Sequence, residues 1–114
     1  MKIPTRLHKI YEHMMYRCYN PKSVNYKYYG ARGIGVCEEW RNNPMLFKKW
    51  ALSNGYNSTL TLDRIDSNKG YSPDNCRWVT MKEWAKEFHI NYQTLKTRIR
   101  KGWNIEKALK EKAA

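Results

Sequence analysis

Apolar positions between residues 5 and 18 recur at helical spacing. Leu7, Ile10, Tyr11, Met14 and Cys18 make one continuous stripe, which predicts an amphipathic helix that Asn20-Pro21 stops. His8 and His13 fall off that stripe and read as solvated. From Tyr28 to Cys37 the chain holds three glycines and then alternates Ile34 and Val36, the pattern of a tight loop leading into a short strand. Asn43-Pro44 reads as the cap and first residue of a helix that runs to Ser53 and closes at Asn54-Gly55, with Leu46, Phe47 and Trp50 inward. Leu60 to Ile65 is a strand candidate with Leu60, Leu62 and Arg64 on one side, followed by a polar loop from Asp66 to Asn75. Extended character resumes at Arg77-Trp78-Val79, and Thr80-Met81-Lys82-Glu83 is a capping box that starts a new helix.

The last third of the chain changes rhythm. A helix is predicted over 81–88 with Trp84, Ala85 and Phe88 inward, and His89-Ile90-Asn91 breaks it. A second helix, capped by Asn91, carries Leu95 and Ile99 inward and ends at Gly102. Asn104 then caps a short final helix over 105–112, with Ile105, Ala108 and Leu109 inward. The expected fold class is α+β. N-terminal helices precede a small strand–strand–helix core in residues 1–80, and a helix-turn-helix module occupies 81–114, sharing the helix of the core.

Charge adds a partner to this picture. The 114 residues carry 22 Lys and Arg against 10 Asp and Glu, a net +12 at pH 7. The surplus is +7 over residues 1–50, zero over 51–80 and +5 over 81–114, so basic ends flank a neutral middle. Basic groups alternate with rings in Tyr16-Arg17-Cys18-Tyr19 and Tyr26-Lys27-Tyr28-Tyr29. Cations release counterions from phosphates and rings pack on sugars or bases, so nucleic acid is the expected partner. In a helix-turn-helix the start of the second helix meets base edges, which points to Tyr92, Gln93, Thr94, Lys96 and Thr97. Arg98, Arg100 and Lys101 are the expected phosphate contacts, and Arg32 in the glycine-rich stretch is a further DNA-binding candidate.

Two segments carry a family resemblance. Glu83 to Trp103 fits E-W-A-K-x-x-x-I-x-x-x-T-L-x-x-R-I-x-x-G-W, a pattern similar to small DNA-binding repeats appended to phage nucleases. Leu62 to Thr80 resembles the ββα-metal core of phage-type HNH homing endonucleases, most specifically in Asn75-Cys76-Arg77-Trp78 and its 12-residue spacing from Asp63. Arg17-Cys18-Tyr19-Asn20 and Tyr28 to Ile34 look like the N-terminal part of one group of these proteins, and the likeness spans nearly all of residues 10–103.

The resemblance implies a site. In that family an Asp-His pair supplies a metal ligand and a general base, an Asn fixes the loop, and a His or Asn in the helix completes the metal site. Asp63 stands at the first ligand position and Asn75 at the structural Asn. Arg64 replaces the base and cannot accept a proton near neutrality. Trp84 stands at the second ligand position and cannot bind a metal, while Glu83 replaces it only if the helix rotates. The resemblance therefore implies a catalytically degenerate core. The rival reading keeps Mg²⁺ or Mn²⁺ on Asp63, with Tyr71 or His89 as base. A plainer reading of Asp63 and Asp66 has them bonding Arg64, Arg77 or loop amides to hold the turn.

Cys18, Cys37 and Cys76 are odd in number, widely spaced and outside any C-x-x-C pair. They would bind zinc only by converging with a fourth ligand, and buried free thiols are the expected role. No apolar run is long enough to span a bilayer and no leader-like stretch follows Met1-Lys2-Ile3-Pro4. The expected protein is cytoplasmic, in a bacterial host if phage-encoded, and binds double-stranded DNA without a required cofactor. A metal-dependent DNA endonuclease, and a counter-defence protein that blocks a host nucleoprotein complex, are the rivals.

Overall fold

Asn20 ends the first helix as its sequence requires. In the computed structural model, which describes residues 3–103 and Ala108, α1 spans Thr5–Tyr19 and Asn20 turns extended while its N–H still reaches the Tyr16 carbonyl. Leu7, Tyr11, Met14 and Cys18 are buried, and Ile10 is half-buried at the edge of the stripe. The Tyr11 hydroxyl donates to the Trp40 carbonyl at 2.6 Å, which anchors the helix to the segment that follows the glycine-rich loop.

That loop departs from expectation. It forms two short 3₁₀ turns, Tyr26–Tyr28 and Gly30–Arg32, and leaves them through Gly33 in the left-handed region at φ 82°. A Cβ on Gly30 would collide with the Tyr26 ring and the Cys18 carbonyl, so only glycine fits there. Ile34 and Val36 are buried as their alternation suggested, but no strand forms. Val36 makes a single parallel bridge with Tyr71, through Tyr71 N–H to the Gly35 carbonyl and Cys37 N–H to the Tyr71 carbonyl, both at 2.8 Å. The physical reason is length: Gly35 precedes the bridge and a new helix begins one residue after Cys37.

That helix, α2 over Glu38–Asn42, was not foreseen. Glu38 and Glu39 in its first turn complement the positive end of the helix dipole, and Trp40 is buried. Asn43 then caps α3, Pro44–Ser53, its side chain accepting from Met45 N–H at 3.0 Å. Phe47 and Ala51 are buried one turn apart. Leu46, expected inward, is 40% exposed because its direction lies roughly a quarter turn off that axis. Trp40, Phe47, Trp50, Tyr56 and Trp78 meet in an aromatic cluster with neighbouring centroids 4.9–6.4 Å apart.

Strands β1 (Thr61–Arg64) and β2 (Cys76–Val79) pair antiparallel, with Leu62, Cys76 and Val79 buried. By contacts the chain divides into two units. The first comprises residues up to Ser58 with Leu62–Trp78, and the second comprises Thr59–Thr61 with the residues from Val79 on.

In the second unit the Thr80 hydroxyl accepts from Glu83 N–H at 3.1 Å and starts α4, Met81–Glu87. Phe88, expected inward, is 37% exposed, because the helix has already unwound there. His89 turns the chain at φ 55°. Asn91 then accepts from Gln93 and Thr94 N–H at 2.8 and 3.3 Å to open α5, Tyr92–Arg100. Val79, Trp84, Ala85, Leu95 and Ala108 form its core, with Ile90, Tyr92, Ile99 and Trp103 packed around them. The helix expected over 105–112 lies outside the described residues apart from Ala108. Among the described residues no helix is long and apolar enough to cross a membrane.

Candidate nucleic-acid interface

Helix α5 presents two faces. Leu95 and Arg98 are buried and Tyr92 and Ile99 half-buried, so the stripe at 92, 95, 98 and 99 faces the core. Gln93, Lys96, Thr97 and Arg100 are exposed at i, i+3, i+4 and i+7, and with exposed Lys101 at the C-cap they make one polar and basic face along α5. Thr94, half-buried, borders it. Lys82 and Lys96 Nζ each lie 5.7 Å from the Tyr92 ring centroid. This cluster puts Lys82 of α4 beside the start of α5, a contribution that sequence spacing alone does not reveal.

One expected DNA contact is corrected. Arg98 is only 8% exposed, and its Nη1 donates to the Ala108 carbonyl at 2.8 Å while its Cζ stands 4.7 Å from the Trp103 centroid. The residue lies three positions after Leu95, hence on the buried stripe, and its charge is engaged inside the unit. Arg32, in the first unit, is exposed but held: it donates to the Tyr28 carbonyl at 3.0 Å, to the Ser67 carbonyl at 3.3 Å and to Asn68 Oδ1 at 3.1 Å. It ties the 3₁₀ turns to the loop after β1.

The residues around the polar loop between β1 and β2 are engaged in holding it. Asn75, buried, accepts from Asp66 N–H at 2.8 Å and donates to the Asp66 and Gly70 carbonyls at 3.1 and 2.8 Å. Both amide hydrogens and the carbonyl oxygen are thereby directed at the turn. Asp66 Oδ1 accepts from Asn68 N–H at 2.9 Å. Asp63, 12% exposed at its side chain, accepts from Arg77 Nε at 2.8 Å across the two strands. Arg64 Nη1 donates to the Ser67 and Lys69 carbonyls at 2.8 and 2.9 Å. The plainer expectation for the two aspartates therefore describes their contacts.

The remaining candidates for base and ligand have other surroundings. The Tyr71 hydroxyl accepts from Arg17 Nε and Nη2 at 3.1 and 2.8 Å, and burial raises its pKa against the opposing pull of Arg17 and Arg64. Near neutrality it is a protonated phenol, unsuited to take a proton from water. In the second unit, Trp84 is a core residue, Glu83 is exposed on α4, and His89 is the exposed turn residue between the helices.

Cys18 and Cys76 are buried, Cys37 is half-buried, and all three are free thiols. Burial pushes the Cys18 thiol up to about 11 and the Cys76 thiol up to about 12, so neither offers a thiolate near neutrality. Among the described residues no group of three or more His, Cys, Asp or Glu side chains is placed to hold a metal ion.

Sequence reasoning missed the cluster of Arg17, Tyr29, Tyr71 and Arg64. The basic–aromatic runs around Arg17 and Tyr29 suggested an outward surface, yet Tyr29 and Tyr71 are 2% and 3% exposed and stack on each other. The available signal was the position of Arg17, three residues after Met14 at the edge of the buried stripe of α1. When compared with family models, curated proteins and solved structures, the chain matches none of them.

Proposed function

We propose that this chain is a duplex-DNA-binding protein of phage or mobile-element type, in which an HNH-like centre serves as a scaffold and α5 meets the DNA. The observation that carries the reading is the exposed face of Gln93, Lys96, Thr97 and Arg100 on one nine-residue helix, extended by Lys101 at its C-cap. Three cations on that face suit phosphates, while Gln93 and Thr97 are types able to bond base edges. The +12 net charge favours a polyanion independently of any one helix. A non-catalytic role is supported by Arg64 at the position where the likeness calls for a proton acceptor, and by the Asp63–Arg77 pair.

The test is a titration of the full chain against mixed-sequence duplex over a series of salt concentrations. Replacing Lys96, Arg100 and Lys101 together by Ala is expected to weaken binding to every sequence and to flatten the log–log salt slope by roughly 3. A slope equal to that of the unaltered chain would place the DNA contact elsewhere.

A further inference from the structure

A guanidinium without a carboxylate partner lies beside the stacked Tyr29 and Tyr71 rings of the first unit. Arg17 gives Nε and Nη2 to the Tyr71 hydroxyl, and its Cζ lies 5.0 Å from the Tyr29 centroid and 5.3 Å from that of Tyr71. Arg64 Cζ stands at the same two distances from the same two rings. The rings themselves stack at 6.4 Å with 22° between their planes. Two guanidiniums therefore share one tyrosine pair.

Among the described residues, no carboxylate lies within ion-pair distance of Arg17. The phenols are neutral near pH 7, and Cys18 and Cys76, the two thiols that sense these guanidiniums, are held protonated by burial. Asp63, which Cys76 senses, is bonded to Arg77. Nη1 of Arg17 has no partner among the described residues, yet it is not sealed from solvent.

We infer that Arg17 and Arg64 form a binding site for a phosphate-class oxyanion, with the open Nη1 edge of Arg17 as its leading donor. A planar guanidinium fork matches such an oxyanion better than an ammonium does. Both side chains are already fixed, Arg17 by the Tyr71 hydroxyl and the rings, Arg64 by the Ser67 and Lys69 carbonyls. Little ordering entropy is then lost when the anion arrives. This site belongs to the first unit and does not depend on α5 meeting DNA.

The experiment is calorimetric titration of the full chain with inorganic phosphate, against chloride at equal ionic strength, and separately with a dithymidine monophosphate diester. Saturable binding of either ligand is expected. Tighter binding of free phosphate identifies a solute site, and tighter binding of the diester identifies a nucleic-acid backbone site. Arg17→Gln is expected to weaken binding by about tenfold or more. Arg17→Lys, which keeps stem and charge but loses the fork, should weaken it less, and Arg64→Gln should weaken it as well. The α5 triple variant should bind phosphate like the unaltered chain, which separates failure here from failure of the duplex reading. If Arg17→Gln does not fold, Arg17→Lys and Arg64→Gln decide. Absence of saturable binding to the unaltered chain, or unchanged affinity in the folded variants, would overturn the site.

Discussion

Arg98 illustrates how a charged side chain on a basic helix can serve packing. Its guanidinium closes onto the Ala108 carbonyl and lies against the Trp103 ring inside the second unit. Removing it leaves a carbonyl without its charged donor and a gap along the stem. Arg98→Ala is therefore expected to destabilise the unit by about 1–3 kcal/mol in denaturant unfolding. At temperatures where the variant stays folded, the salt slope of DNA binding should remain that of the unaltered chain. The buried thiols make a second residue-scale prediction. Their folded pKa values, about 11 for Cys18 and about 12 for Cys76, stand above the ordinary 9.0. The unfolded chain then loses protons first as pH rises, so this contribution to stability is intact below about 9 and declines between there and 11–12. Thermal unfolding should show the melting temperature falling across that window, and a folded Cys18→Ala, Cys76→Ala double variant should fall less steeply.

At the scale of elements, side-chain caps explain why much of the helical layout could be read early. Asn43, Thr80 and Asn91 each satisfy a free N–H at a helix start, and each acts within three residues of itself. Such short-range signals survive whatever the rest of the chain does. Orientation survives less well. Leu46 and Phe88 were expected inward from apolar character alone, and both face partly outward, because the buried direction of α3 follows Phe47 and Ala51 and α4 ends before Phe88. The outer face of α5 carries its own prediction beside the cationic one. Gln93 sits in the first turn with its side chain exposed, so Gln93→Ala should alter preference among duplex sequences while the salt slope stays unchanged. Competition binding against a randomised duplex pool measures that change.

For the whole molecule, the question that an assay can answer is whether the chain cuts DNA. Arg64 donates to the turn it precedes, Asp63 is paired across the strands, and Asn75 holds the loop between them. Loss of a general base alone typically lowers the rate by about 10²–10⁴-fold. Supercoiled plasmid incubated with the chain and Mg²⁺ or Mn²⁺ is accordingly expected to stay intact. Cleavage abolished by Asp63→Ala but kept in an exposed variant such as Lys49→Ala would reverse that expectation and establish an endonuclease.

The chain by itself determined what depends on near neighbours: capped helix starts, the breaks at Asn20 and Gly102, the pairing segments on either side of the polar loop, and a cationic excess at both ends. Tertiary structure decided which polar groups are left for a partner. Arg17 meets Tyr71 across 54 residues, Asp63 meets Arg77 across 14, and Arg98 meets Ala108 across 10. Those bonds form between groups brought together by burial of apolar surface elsewhere. A local pattern records the type of each charge, while the packed chain sets whether that charge is satisfied within or remains to be met from outside.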